Sequence, residues 1–140
     1  MKKKLYIGCA LTHLPKDKES DFLRMIEEIK KKLGDSFEIL EFLSAGKNPE
    51  ALPLEVYTHD IKNSVCKADA LLAICDHPSL GLGYEISTAV EKCGIPVLAM
   101  AHKDVFVSRL IRGIDHPNFK FMHYDSSDDI VQKTIELLTK

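Results

Sequence analysis

The chain has no Cys-x-x-Cys pair, no His-Glu-x-x-His and no zinc-finger spacing among its 4 cysteines and 6 histidines. Those absences remove the common signatures of bound zinc, and no metal or cofactor is expected. Cys9, Cys66, Cys75 and Cys93 read as reduced thiols of a cytoplasmic protein, packed as small core hydrophobes. Basic excess is missing too: 19 Lys and Arg stand against 21 Asp and Glu, for a net charge of -2. That excludes the electrostatic footprint of a protein that grips polymeric nucleic acid. No apolar stretch approaches the roughly 20 residues of a membrane span. Met1-Lys2-Lys3-Lys4 before Leu5 to Cys9 has the outline of a secretion signal, but the apolar part falls short of the roughly 7–15 residues required. It reads as a first buried strand with a solvated basic lead. With no internal repeat, low-complexity tract or linker, residues 1–140 are expected to form one domain.

What is present is an alternation of strand and helix patterns. Leu5 to Ala10, Asp69 to Cys75 and Ile95 to Ala101 are short apolar runs suited to buried parallel strands. Phe37 to Leu43 alternates like a partly exposed strand, and Phe119 to Tyr124 supplies a fifth. Between them, Phe22, Met25, Ile26, Ile29 and Leu33 mark a helix with Asp17 or Ser20 as cap and Gly34 beyond its end. Leu54, Tyr57, Ile61, Val65 and Ala68 mark a second helix, over Leu54 to Lys67. Ile86, Ala89, Val90 and Cys93 mark a third, closed by Gly94 and Pro96. Val105 to Ile114 reads as a short helix, and Ser126 or Ser127 caps a final one. Ser44 to Pro53, with Gly46, Asn48 and two prolines, reads as a surface loop or short lid. The expected fold is α/β: a three-layer, doubly wound, five-stranded parallel sheet of flavodoxin-like order 2-1-3-4-5. Ligands of such sheets bind beyond the carboxyl ends of the strands, beside the switch point between strands 1 and 3.

Two stretches meet at that switch point, Tyr6 to Thr12 and Asp76-His77-Pro78-Ser79-Leu80-Gly81-Leu82-Gly83-Tyr84-Glu85. Gly81 and Gly83 permit close backbone approach and unusual dihedrals at the turn, and a helix start there offers free N–H groups to phosphate or sugar hydroxyls. Glu85 is placed in the first helical turn, where the helix dipole favours its ionised form. Most lone glutamates in that position are surface residues that complement the dipole; the flanking glycines and strand end favour a functional one. Tyr6, Asp60 and Glu85 share one crevice in this arrangement. Two carboxylates there can divide the work of glycosidic cleavage, one attacking the anomeric carbon and the other handling a proton.

With Tyr-x-x-Asp at Tyr57 to Asp60 and Gly-x-Gly-Tyr-Glu at Gly81 to Glu85, the chain resembles the nucleoside 2-deoxyribosyltransferase superfamily over nearly its whole length. The likeness is greatest to the 2'-deoxynucleoside 5'-monophosphate N-glycosidase branch. The resemblance implies that Glu85 forms a covalent deoxyribosyl intermediate, that Asp60 assists proton transfer and that Tyr6 orients nucleophile and sugar. It implies a 5'-phosphate held by Ser79 and by Ser108, the latter supplied across a homodimer. It also implies a small-molecule nucleotide or nucleoside as substrate, with no cofactor and no membrane.

The chain departs from the family in two places. The family's Gly-Ser-Ile-Arg-Gly loop is Cys9-Ala10-Leu11-Thr12-His13 here, so Ala10, Thr12 and His13, with Lys16, stand where phosphate contacts are expected. Asp60 lies nine residues before Asp69 instead of the family's eight. One residue turns a helix by about 100°, so a bulge is needed to keep Asp60 in register. Base exchange by a deoxyribosyltransferase, and nucleotide binding without turnover, are the alternative functions.

Overall fold

The protein is seen in a computed structural model that describes residues 1–12, 14–40 and 50–140. Five strands, β1 (Lys3–Cys9), β2 (Phe37–Leu40), β3 (Ala70–Ile74), β4 (Val97–His102) and β5 (Phe119–Tyr124), form one sheet in the order β2-β1-β3-β4-β5. All four pairings are parallel. The apolar runs decide which strands lie at the centre. Every residue of β3 is buried, as are Leu5 to Cys9 of β1, because these strands are covered on both faces. β5, at the edge, is only partly buried along most of its length.

Helix α1 (Lys16–Leu33) turns Phe22, Ile26, Ile29 and Leu33 into the core. It packs beside α5 (Ser127–Leu138), to which Lys32 is tied through Asp128 at 2.7 Å. Helix α3 (Leu80–Ser87) leans on β1 and β3 and buries Leu82 and Ile86. It continues without a break into a π-helical run, Thr88–Cys93, which ends at Gly94 with φ 64°. Among the described glycines, only there does the backbone need the left-handed region that glycine enters without strain.

The boundaries differ from the sequence reading for local reasons. Helix α1 starts one residue before Asp17, behind Pro15, and no side chain caps it. Asp17 and Glu19 instead lie in the first turn, where they complement the dipole. β1 begins at Lys3, so part of the basic lead joins the sheet by pairing with β2. β4 begins after Pro96, which has no N–H for the ladder, although its carbonyl accepts from Leu71 at 2.9 Å. The expected helix over Leu54 to Lys67 is in three pieces: α2 (Pro53–Tyr57), a π-helical run (Thr58–Lys62) and a short 3-10 turn (Val65–Lys67). The short helix α4 is confined to Arg109–Arg112, with the Ser108 side chain accepting from the Leu110 N–H at 3.3 Å. Of the four thiols, Cys9 and Cys75 are buried and Cys93 is half-buried, whereas Cys66 is exposed on the 3-10 turn. β2 is described as far as Leu40; Glu41 to Leu43 and most of the expected lid, residues 44–49, lie outside the described residues. Among the described residues no helix is long and apolar enough to cross a membrane.

Leu72, fully buried at the centre of β3, has no room to relax if truncated. Leu72→Ala is expected to lower stability by about 2–5 kcal/mol, read as a lower urea midpoint at unchanged slope.

Candidate active site

The carboxyl ends of β1 and β3 open onto a cavity of about 470 Å³ whose lining includes Tyr6, Asp60, Ser79 and Glu85. Tyr6 reaches it from a strand interior, and its ring is 2% exposed. Glu85 comes from the second turn of α3 and is 8% exposed. The two meet directly: the Tyr6 hydroxyl donates to Glu85 Oε2 at 2.5 Å, a short charge-assisted hydrogen bond when the carboxylate is ionised. Gly8 leaves room for this approach. A Cβ on Gly8 would lie 2.9 Å from Leu82 Cδ1 and 3.3 Å from Glu85 Oε1.

Burial, not the helix dipole, sets the electrostatics of Glu85. No acidic residue occupies the first turn of α3, and removal from water pushes the Glu85 carboxyl up from 4.5 to about 7. The Tyr6 hydrogen bond opposes that rise and the charge of Asp60 adds to it. The expectation of a dipole-stabilised anion is therefore corrected, because desolvation of a buried carboxylate outweighs a dipole whose influence fades beyond the first turn. Tyr6 is driven far above the ordinary phenol range, by burial first and by the neighbouring Glu85 charge second. It stays a proton donor throughout the accessible pH range.

Asp60 reaches the same cavity from the π-helical run. There the Asn63 N–H donates to the Thr58 carbonyl at 3.0 Å, an i to i+5 bond. Such a bulge accommodates one extra residue in a helix, and it falls where Asp60 stands one residue further than the family spacing from Asp69. Asp60 Oδ1 also meets His59 Nδ1 at 2.9 Å. Tyr57 and Tyr84, with ring centroids 6.4 Å apart, line the wall together with Leu11, Val56 and Ile61.

Ser79 caps α3, accepting from the Leu82 N–H at 3.1 Å; its hydroxyl hydrogen remains free to donate to an anion. It lies at the seam between the first cavity and a second, of about 830 Å³, which also contains Ser108, His77, Phe106 and Ile111. Thr12 and Gly81 line both cavities, and Gly83 lines the second. Neither glycine has a positive φ. The expected unusual dihedrals are absent because both residues sit inside α3, and Gly83 carries open space where a Cβ would stand. Ala10 is 1% exposed and lines neither cavity. His13 lies outside the described residues.

Sequence reasoning passed over Tyr57 and Tyr84 as wall residues. The apolar stripe made Tyr57 look like core, and Tyr84, half exposed, gave no signal beyond its place beside Glu85. It also passed over Asp76, which accepts from the Tyr124 hydroxyl and from the His102 N–H at 3.1 Å. This clasp ties the start of the motif to the ends of β4 and β5, and only the sheet order brings those partners together.

No family model matches the chain. A protein of Thermofilum pendens named "Putative 2'-deoxynucleoside 5'-phosphate N-hydrolase 1" is 38% identical over 88 residues, which are 61% of this chain and 60% of that relative. The match thus spans about three fifths of each protein. The superfamily resemblance holds. The fold is likewise that of the Clostridium botulinum CMP N-glycosidase BcmB, with TM-score 0.70 at 19% identity over 94% of this chain and 96% of that one. A 2-desoxiribosyltransferase from Leishmania mexicana superposes with TM-score 0.62 at 15% identity, over 96% and 98%.

Two measurements test the geometry. Glu85 has a folded pKa above its ordinary value, so its stability contribution is complete below pH 4.5 and lost as pH rises through about 7. Relative to Glu85→Gln, the native chain is expected to lose on the order of 3 kcal/mol across that window, measured by denaturant titration at several pH values. Gly8→Ala should press on Leu82 and part Glu85 from Tyr6, destabilising the fold by about 1–3 kcal/mol; an unchanged midpoint would show that α3 has slack there.

Proposed function

We propose that the protein hydrolyses the N-glycosidic bond of a (2'-deoxy)nucleoside 5'-monophosphate through a covalent glycosyl-Glu85 intermediate. The observation that carries this reading is the buried Glu85 carboxylate, held by the Tyr6 hydroxyl at 2.5 Å in a cavity shared with Asp60. The names of the relative from Thermofilum pendens and of the Clostridium botulinum enzyme support the same class of reaction.

In this mechanism the nucleobase lies against Tyr57, Tyr84 and the aliphatic wall, with the sugar over Glu85. Ionised Glu85 attacks the anomeric carbon as the carbon–nitrogen bond breaks, and Asp60 gives the departing base a proton. A hydrogen bond from Tyr6 fixes the attacking carboxylate and keeps one oxygen directed at the sugar. Water then attacks the same carbon; Asp60 takes its proton and Glu85 leaves as carboxylate. The 5'-phosphate reaches the seam between the two cavities, where Ser79 donates its hydroxyl and Thr12 lies close by. Ser108 of a neighbouring copy in a homodimer completes the grip. The exposed Leu80, Phe106 and Leu110 around it support such an apolar contact face.

Incubation with deoxynucleoside monophosphates should release free base, with hydrolysis rates that climb as pH rises through about 7 and Glu85 ionises. Glu85→Ala should reduce turnover by about a thousandfold or more and Asp60→Asn by about a hundredfold, while substrate still binds. Full activity in Glu85→Ala would overturn the mechanism. Formation of an exchanged nucleotide on adding a second free base would reassign the protein as a transferase.

A further inference from the structure

Away from the crevice, two thiols stand together. Cys66 Sγ lies 2.7 Å from Cys93 Sγ, well inside the contact distance of two unbonded sulfurs and close to the roughly 2.05 Å of a disulfide bond. Cys66 is exposed on the 3-10 turn Val65–Lys67, just beyond the run that carries Asp60. Cys93 is the half-buried last residue of the π-helical run that continues from the Glu85 helix. The two segments pack against each other. Both cysteines precede the strands that follow them, β3 and β4, and so sit at the amino edge of the sheet. The candidate active site is at the opposite, carboxyl edge. The other two thiols, Cys9 and Cys75, are buried.

The geometry points to Cys66 and Cys93 as a redox-active dithiol site that takes a low-molecular-weight disulfide as its co-reactant and closes to an intramolecular disulfide. Cys66, the exposed partner, attacks one sulfur of the small disulfide as thiolate, forming a mixed disulfide and releasing one small thiol. Cys93 loses its proton to solvent and attacks the Cys66 sulfur, displacing the second small thiol. Two protein thiols are oxidised and one small disulfide is reduced to two thiols, which balances the step. The division of labour follows burial: the Cys93 thiol is pushed up to about 11, first by desolvation and then by its hydrogen bond to Cys66, so it holds its proton until the mixed disulfide is in place. Closure joins the turn behind Asp60 to the end of the Glu85 helix. Because the sulfurs are already adjacent and far from the cavity mouth, it tightens the packing of the two segments without moving the carboxylates.

The test is incubation of the full chain with oxidised glutathione, followed by thiol counting in denaturant and peptide mapping. The count is expected to fall from 4 to about two, with a single peptide pair joined through Cys66 and Cys93 and no retained glutathione. Cys93→Ser should stall as the mixed disulfide on Cys66, and Cys66→Ser should leave Cys93 unmodified. The oxidised native chain should unfold at a higher temperature, and dithiothreitol should reverse the shift. Retention of all four thiols, glutathione remaining on Cys66 of the native chain, or cross-linking between chains would each overturn the proposal. None of these readouts depends on what the crevice cleaves.

Discussion

The hydrogen bond from Tyr6 to Glu85 joins β1, an inner strand of the sheet, to the helix that follows its neighbour β3, and the rest of the site depends on it. Glycine at position 8 of β1 leaves room for it, since a Cβ there would press on the side chains of Leu82 and Glu85. It matters because both partners are out of water. A buried carboxylate is unstable as an anion unless something donates to it, and Tyr6 provides the donor from a position too buried to lose its own proton. The result is a buried glutamate whose carboxyl is pushed up to about 7, the kind of perturbed group that clusters at functional sites.

Around that pair the fold supplies fixed points. Asp76, clasped by Tyr124 and by the His102 N–H, anchors the turn that leads to Ser79, and Ser79 caps the helix that carries Glu85. The pull of β5 on this turn means that the Ser79 end of the cavity is held from the far edge of the sheet. The apolar tyrosine wall faces it from α2 and α3. A ligand with one anionic end and one flat, stackable end matches that division.

The sheet order was legible in the sequence because parallel strands covered on both faces must be apolar runs, and Leu5 to Ala10 and Asp69 to Cys75 are such runs. Tyr6, Asp60, Ser79 and Glu85 could be placed in one crevice because the order 2-1-3-4-5 brings the ends of β1 and β3 together. What could not be read was anything that depends on distance across the sheet. The Asp76 clasp joins residues separated by 26 and 48 positions, and the Cys66–Cys93 contact spans 27. The ionisation of Glu85 was misjudged for the same reason: helix position is written in the sequence, but the depth at which Leu82, Tyr6 and β1 enclose the carboxylate is not.

The helix bearing Asp60 shows how a local irregularity can be required by a global constraint. The strand fixes Ala70, and the cavity fixes Asp60, so the chain between them has two ends it cannot move. One additional residue in an uninterrupted α-helix would rotate Asp60 about 100° away from the crevice. The helix absorbs it at Thr58–Lys62, where the i to i+5 bond from Asn63 to Thr58 widens one turn and returns the following residues to register. π-helical turns are rare and recur at functional sites, and this one coincides with a residue that lines the cavity. The irregular backbone thus lies at Asp60 itself, and His59 meets Asp60 Oδ1 at 2.9 Å, which fixes the direction of the carboxylate.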